Sequence, residues 1–109
     1  MIDDTPLTDE TVAVVGGGVA GLTAACYLAD AGATVTVVER NDTLGGVTNR
    51  LEVGEFTFDT GPSWYMMPET FDRFFGHFGR ESSDYYAIER LDPQYRVFWK
   101  DGDRVDVTP

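Results

Sequence analysis

The chain of 109 residues is 42% hydrophobic and 13% aromatic, which supplies apolar side chains for a core and argues against an intrinsically disordered protein. With 19 Asp and Glu against 8 Lys and Arg, the formal net charge is -11. Because such a surface repels phosphate groups, we expect neither nucleic-acid binding nor electrostatic docking on an anionic membrane. This acidity, with Lys100 as the single lysine, favours a halophilic protein over an ordinary acidic cytosolic one, because high salt screens the self-repulsion.

Residues 1–10 predict a flexible, acidic lead-in, without the basic and then apolar pattern of a secretory signal peptide. No uncharged apolar run approaches the roughly 18 residues that a membrane-spanning helix needs. The single cysteine, Cys26, cannot form an internal disulfide and is interpreted as a small buried side chain. We therefore expect a soluble, cytoplasmic protein.

The first regular elements have the pattern of a βαβ unit. Thr11–Val15 is an apolar, β-branched run without polar alternation, which is typical of a parallel strand buried on both faces. Glycines 16–18 end it, and helix-favouring residues follow over Val19–Ala31, with Gly32 placed as the cap. Thr34–Val38 is a second β-rich run, and a right-handed crossover makes the two strands parallel.

A glycine motif lies between the first strand and the helix. Gly16, Gly18 and Gly21 form G-x-G-x-x-G where dinucleotide-binding proteins have it. The first glycine permits a tight turn, the second leaves space for a pyrophosphate at the helix N-terminus, and the third lets helix and sheet pack closely. Glu39, at the end of the second strand, can accept hydrogen bonds from a ribose and would repel a 2′-phosphate. We predict a dinucleotide site that disfavours NADP; the alternative is a glycine-rich turn with an unrelated glutamate.

Two hairpins and one helix are predicted beyond this unit. Leu51–Val53 and Phe56–Phe58 alternate around a Gly-Glu turn and predict the first hairpin. Pro68 is placed as the first residue of a helix. Tyr95–Trp99 and Arg104–Val107 flank an Asp-Gly turn and predict the second hairpin.

An aromatic stripe marks the predicted helix after Pro68. Its members repeat with helical spacing: Phe71, Phe74, Phe75 and Phe78. A core-facing helix explains the stripe without a ligand, and the alternative is the wall of a tunnel for an apolar polyene. His77 lies off the stripe and is expected to be exposed. The apolar cluster 64–67 either packs at the start of the helix or approaches a cofactor.

The glycine motif alone does not separate FAD from NAD. Gly45 and Gly46 follow Glu39 at the spacing of glutathione-reductase-like flavoproteins, where bare backbone meets the FAD ribose and pyrophosphate. From residue 12 to about residue 79 the sequence resembles the phytoene desaturase (carotenoid desaturase) group of the amine-oxidase-like flavoproteins. The resemblance rests on Val14–Leu22, on Val38–Arg40 with Leu44–Gly46, and on Phe56–Ser63. The last segment, aromatic-x-aromatic-Asp-x-Gly-Pro, is the most specific.

The resemblance implies FAD as the cofactor and a set of residues that bind it: Gly16, Gly18, Val19, Ala20, Gly21, Glu39, Arg40, Gly45, Gly46, Gly61, Pro62 and Ser63. It also implies that Asp59 and residues 61–63 lie near the flavin ring, with an ordinary surface turn as the alternative. The group commonly has Arg directly after the glycine pair, where this chain has Val47, and Arg50 replaces it only if the loop bends. The sequence identifies neither a catalytic residue nor a metal ligand.

The implied fold class is α/β: a Rossmann-type, glutathione-reductase-like FAD-binding βαβ unit, followed by a β-hairpin, a helix and the start of a substrate domain. The expected divisions are the lead-in 1–10, the dinucleotide-binding segment 11–80, and the start of the substrate domain 81–109. A Rossmann sheet needs more parallel strands than two. We therefore expect a truncated product or fragment that has little desaturase activity alone.

The implied function is flavin-dependent oxidoreduction, in which a hydride is removed from a long apolar polyene in carotenoid biosynthesis. Such a substrate is drawn from a bilayer, which is compatible with peripheral membrane association of the whole enzyme. Two alternatives remain open. One is a related FAD enzyme that acts on an amine or a porphyrinogen, and the other is a non-catalytic dinucleotide-binding module.

Overall fold

The fold is described from a computed structural model, which describes residues 6–62 and 64–109. Its elements follow in chain order: β1 (Thr11–Val15), α1 (Val19–Asp30), β2 (Thr34–Val38), β3 (Arg50–Val53), β4 (Phe56–Asp59), α2 (Pro68–His77), a 3₁₀ helix (Ser82–Asp84), β5 (Tyr95–Phe98) and β6 (Arg104–Val107). The strands form three separate two-stranded sheets.

The β1–α1–β2 segment is the predicted βαβ unit. β1 and β2 pair in parallel, with Thr11 opposite Thr34 and Val15 opposite Val38. The helix between them packs on one face of this sheet, where Gly21 lies next to the Val14 side chain. The carboxyl ends of both strands therefore meet beside the start of α1, which is where ligands bind in open α/β sheets.

The turn after α1 ties the preceding residues to the unit. Gly32 follows the helix with a φ of +101°, a conformation that a residue without a side chain adopts at low cost. The backbone N–H of Leu7 donates to the carbonyl oxygen of Ala31 (2.8 Å), and that of Thr34 donates to Glu10 (2.9 Å). Part of the acidic lead-in is thus hydrogen-bonded along the end of α1 and the start of β2.

The prediction that the strands are buried on both faces is wrong for the structure. Alternate residues of β1 and β2 are exposed, and Val15 and Val38 are 85% and 52% exposed. In the described part of the chain, Ala25 and Ala33 are the only buried hydrophobic residues. The reason is geometric: α1 covers one face of a two-stranded sheet, and nothing among the described residues covers the other.

The two predicted hairpins are confirmed. β3 and β4 pair antiparallel with Val53 opposite Phe56, and the turn between them has Gly54 at a φ of +61°. β5 and β6 pair antiparallel, and Gly102 in their connection has a φ of +95°. In both turns a glycine supplies the left-handed conformation that other residues adopt rarely.

The aromatic stripe of α2 makes ring contacts on two sides. The Tyr27 ring of α1 lies 5.8 Å from Phe74 and 5.4 Å from Phe78, measured between centroids. On its other side α2 packs against the residues that follow it, where Phe75 stacks on Tyr85 at 4.7 Å. All four phenylalanines are half-buried, so the stripe is a packing surface, although none of it is fully enclosed.

His77 is exposed, as expected, and its Nε2 lies 3.0 Å from Oδ2 of Asp30. The burial predicted for Cys26 is wrong, because this residue is exposed. Ala25 shares the sheet-facing side of α1 with Gly21, and the next residue along the helix is turned away from the sheet. Cys26 accordingly lines an open groove of about 450 Å³ between α1 and α2.

The molecule is elongated. Its radius of gyration is 19.1 Å, against about 13 Å for a compact domain of similar length. This follows from three small sheets that share no common core. No helix in residues 6–62 and 64–109 is both long and apolar enough to cross a bilayer.

Candidate dinucleotide-binding site

The glycine loop joins β1 to α1 by a turn that depends on missing side chains. Gly16 has a φ of +104°, and Gly18 is the extended residue that precedes the helix. A β-carbon on Gly21 would collide with the carbonyl oxygen of Gly16. Gly16 in the turn and Gly21 at the helix–strand contact therefore have the local geometry that the sequence predicted for them, whereas the role of Gly18 toward a pyrophosphate stays a prediction.

The start of α1 offers backbone donors to a ligand. The first intrahelical bond runs from the N–H of Leu22 to the carbonyl of Gly18, so the N–H groups of Val19, Ala20 and Gly21 precede it and have no acceptor within the helix. No side chain caps this end, and its first turn has no acidic residue. The partial positive charge of the helix is therefore available to an anion at this point.

Both oxygens of the Glu39 carboxylate accept hydrogen bonds, one of them from the glycine loop. Oε2 accepts a hydrogen bond from the backbone N–H of Gly17 at 2.7 Å. Oε1 accepts two from Asn41, one from its backbone N–H and one from its side-chain Nδ2, each at 2.9 Å. These contacts connect the end of β2 with the loop after β1.

The same contacts keep this carboxylate ionised. The backbone N–H of Asn41 and then that of Gly17 hold the pKa of Glu39 below its ordinary value, against a partial desolvation that would raise it. Because hydrogen bonds from N–H groups favour the charged form, Glu39 presents a negative charge at the end of β2 at neutral pH.

The second glycine pair packs directly on the first loop. The N–H of Gly45 donates to the carbonyl of Gly17 at 2.8 Å, and Gly18 and Gly45 form an isolated parallel bridge. A β-carbon on Gly46 would lie 3.0 Å from Cα of Gly18. Two glycine segments that are 28 positions apart in sequence, at 18 and 46, thus meet backbone to backbone beside the start of α1.

A cleft of about 410 Å³ continues from the second glycine pair. Its lining residues come from the loop before β3 and from the end of the first hairpin: Leu44, Thr48, Asn49, Arg50, Asp59, Gly61 and Pro62. A β-carbon on Gly61 would collide with the carbonyl oxygen of Val47, so the absence of a side chain permits these two segments to approach. Arg50 lines the cleft and pairs with Glu52 at 3.2 Å.

The structure brings most of the predicted cofactor-binding residues together. Those around the helix start are Gly16, Gly18, Val19, Ala20, Gly21, Glu39, Gly45 and Gly46. Arg40 is exposed and adjoins Glu39 in the chain, whereas Gly61 and Pro62 lie further along, in the cleft. Ser63, also predicted, falls outside the described residues.

Three residues of the site were not predicted. Gly17 is buried and donates to Glu39, and a β-carbon on it would collide with the Leu44 side chain. Asn41 supplies both hydrogen bonds to Oε1 of the same carboxylate. An amide two residues after a strand-ending acid is a recognisable turn signal, and it could have indicated Asn41. The packing of Leu44 on Gly17 has no such signal.

Curated relatives of the chain are carotenoid enzymes. It is 63% identical over 102 residues to the carotenoid 3,4-desaturase of Haloarcula japonica, a match that covers 94% of this chain and 21% of that protein. A zeta-carotene-forming phytoene desaturase of Myxococcus xanthus is 47% identical (89% and 18% covered), and a 4,4'-diapolycopene oxygenase of a Methylomonas species is 40% identical (91% and 20% covered). The predicted resemblance to carotenoid desaturases is confirmed, and the acidic composition fits the Haloarcula relative. The chain spans about a fifth of the length of these relatives.

The fold recurs in a crystal structure of a CLA-producing fatty acid isomerase from P. acnes. It superposes with a TM-score of 0.62 at 22% identity, over 96% of this chain and 23% of that one. The profile of the NAD(P)-binding Rossmann-like domain matches residues 14–80, which is more than half of the chain. Both findings confirm the α/β, Rossmann-type interpretation, and the chain belongs to the family of NAD(P)-binding Rossmann-like domains.

Proposed function

We propose that this chain binds the adenosine diphosphate part of FAD, and that the protein carrying it is an FAD-dependent oxidoreductase acting on a carotenoid-type polyene. The observation that carries the cofactor assignment is the contact between Gly18 and the pair Gly45–Gly46 at the open start of α1. A dinucleotide motif alone requires only the first of these two segments. The second widens the bare backbone surface on which a pyrophosphate and a ribose can lie.

The residues present fit this cofactor. A β-carbon on Gly18 would lie 3.8 Å from Cα of Gly46, so a side chain at either position would occupy the space between the two backbones. The free N–H groups of the first turn of α1 complement a pyrophosphate. Of the roughly four acceptor positions on a carboxylate, three on Glu39 are used by Gly17 and Asn41, which leaves Oε2 able to accept from a ribose hydroxyl.

The charge on Glu39 favours a ribose without a 2′-phosphate. Its lowered pKa keeps the carboxylate negative at neutral pH, and a phosphate placed against it would be repelled. The site therefore prefers FAD or NAD to NADP, and the Gly45–Gly46 contact favours FAD between the two.

The cleft beside Gly61 and Pro62 is proposed to face the reacting part of the cofactor. It is continuous with the site, since Leu44 contacts Gly17 and also lines the cleft. Arg40 beside Glu39 is proposed to contact the adenosine part, and Ser63 stays a prediction. Bound FAD would supply the acceptor for a hydride from a saturated C–C bond, the second hydrogen leaving as a proton. This chain contributes binding and orientation.

The substrate class rests on the relatives, whose names describe desaturation or oxygenation of carotenoids. The test is to incubate the purified protein that carries this chain with FAD, an electron acceptor and a carotenoid polyene, and to measure product masses. Desaturation removes two hydrogen atoms for each new double bond, whereas oxygenation, the second candidate, adds oxygen. Oxidation of amines or porphyrinogens, with the polyene unchanged, would contradict the proposal.

A non-catalytic module would behave differently in the same assay. It would bind FAD stoichiometrically without transferring electrons to any acceptor. Peripheral association with lipid, which an apolar substrate would favour, is tested separately by flotation of the protein with neutral lipid vesicles. Neutral vesicles are the suitable choice because the net charge of -11 repels anionic ones.

A further inference from the structure

Asn41 stands out because its backbone and its side chain both donate to one oxygen of Glu39. Building on the proposed function, we propose that Asn41 is a positioning residue that presents the Glu39 carboxylate to the cofactor ribose. It acts through Glu39 and has no direct contact with the cofactor in this role. Neither the glycine motif nor the acid at the strand end accounts for it.

The geometry fixes the carboxylate from two sides. Gly17 donates to Oε2 at 2.7 Å from the loop after β1, and Asn41 donates twice to Oε1 at 2.9 Å from the turn after β2. A glutamate side chain has several rotatable bonds. Without hydrogen-bond partners at a strand end, it would lose its rotational freedom only when the ligand binds. Because both oxygens are already bound, that ordering is complete before the cofactor binds.

The two donors of Asn41 differ in how far they depend on the identity of the residue. The backbone N–H is present whatever residue stands at position 41, so only the amide contact from Nδ2 is specific to asparagine. Aspartate favours the same turn conformations as asparagine, but its side chain accepts hydrogen bonds and cannot donate to a carboxylate when ionised. A role in donating can thus be separated from a role in shaping the turn.

The test is the dissociation constant for FAD, measured from flavin fluorescence in the protein that carries this chain, for the unchanged protein, Asn41→Ala, Glu39→Ala and the double variant. We expect Asn41→Ala to weaken binding by about 2- to 10-fold, the range that corresponds to ordering one side chain. In the Glu39→Ala background the same change should shift the constant by less than about twofold, because coupled residues are not additive.

The Asn41→Asp variant distinguishes positioning from turn structure. If donation from the amide matters, Asn41→Asp weakens FAD binding more than Asn41→Ala does, since a second negative charge faces Glu39. Binding like that of the unchanged protein would show that only the turn matters and would overturn the inference. So would an equal effect of Asn41→Ala with and without Glu39. If the unchanged protein does not bind FAD at all, the proposed function itself fails.

Discussion

The nucleotide-binding region, residues 11–46, and the C-terminal region, residues 64–109, are held together by different kinds of contact. In the first, glycine backbones touch one another, and a carboxylate binds backbone N–H groups. In the second, rings touch rings: Trp64 stacks on Tyr95 at 5.4 Å, and Tyr65 lies 4.9 Å from Phe71.

This difference predicts which positions of the chain tolerate substitution. A β-carbon on Gly21 or Gly45 would collide with a backbone carbonyl oxygen, and one on Gly46 would lie 3.0 Å from Cα of Gly18, so these three glycines tolerate no side chain without a shift of the backbone. Ring contacts in the C-terminal region are made by side chains that remain partly exposed, such as Trp64 at 64% and Tyr65 at 42%. Substitutions there should change packing by degrees and should leave the nucleotide-binding region intact.

The two regions should differ most in their response to a Gly→Ala substitution, made once in α1 and once in α2. Gly21→Ala in α1 places a β-carbon against the carbonyl of Gly16, whereas Gly76→Ala in α2 meets nothing within 4 Å. We expect the first to destabilise the protein by about 1–3 kcal/mol and to weaken FAD binding by more than about tenfold. The second should stabilise it by up to about 1 kcal/mol and leave binding unchanged. Urea unfolding measures the stability of the two variants, and FAD titration measures their affinity. Equal effects of the two substitutions would contradict the proposed difference between the regions.

Charge removal compares the two regions in a second way. Glu39→Gln takes away the negative acceptor at the end of β2, and we expect FAD affinity to fall by about tenfold or more, because hydrogen bonds to a charged group are the stronger ones. The matched variant Asp106→Asn breaks the exposed pair with Arg96, whose Nε lies 2.7 Å from Oδ1. It should leave FAD affinity unchanged. An equal loss in both variants would indicate a general charge effect instead of a specific contact.

The contact between the two helices can be weakened without touching the loop. Tyr27→Ala removes the ring that lies against Phe74, His77 and Phe78. We expect a loss of about 1–2 kcal/mol in unfolding free energy, with FAD affinity within about twofold. Tyr27→Phe keeps the ring and serves as the control. A large loss of affinity in Tyr27→Ala would show that the regions are coupled.

The smallest predicted effect is a dependence on pH. Because the pKa of Glu39 is lowered from its ordinary value of 4.5, its contribution to stability is fully present above that value and is lost as the pH falls through the lower folded-state pKa. The difference in unfolding free energy between the unchanged protein and Glu39→Gln should therefore be constant near neutral pH and shrink in acid. A difference that grows as the pH falls would contradict the assignment of the N–H contacts.

Asp106 in the C-terminal region is a second carboxylate with a lowered pKa, and it serves as a comparison for Glu39. The guanidinium of Arg96 lowers the pKa of Asp106, whereas backbone N–H groups lower that of Glu39. Salt screens a full charge at an exposed pair more than it alters a local hydrogen bond to the backbone. We expect the Asp106 titration, followed by NMR, to move toward its ordinary value at high salt more than the Glu39 titration does.

The sequence predicted those parts of the structure that depend on local rules. The Gly16–Gly21 spacing, the run of Val and Thr in β2, and Pro68 at the start of α2 each specify a backbone conformation within a few residues. The contact between Gly18 and Gly46 was not predicted, because the resemblance to flavoproteins implied that both segments bind the cofactor and said nothing of a contact between them.

The remainder depends on which neighbour a side chain meets. Val15 is exposed because no described element covers its face of the sheet, and Cys26 is exposed because the groove between α1 and α2 is open. Strand or helix propensity carries no information about either. The hydrogen bonds from Asn41 and Gly17 to Glu39 require one rotamer of the glutamate side chain among several. A sequence pattern does not select that rotamer. These are the features that only coordinates reveal.

Recognition of the adenosine diphosphate part of FAD by this chain can be tested directly. The most direct test is to titrate the protein with FAD and with FMN, which carries the same flavin ring and one of the two phosphates but lacks the adenosine monophosphate half, and to add NADP⁺ as a competitor. We expect one FAD bound per chain, at least about tenfold weaker binding of FMN, and no displacement of FAD by NADP⁺. Equal binding of FAD and FMN, or displacement of FAD by NADP⁺, would contradict it.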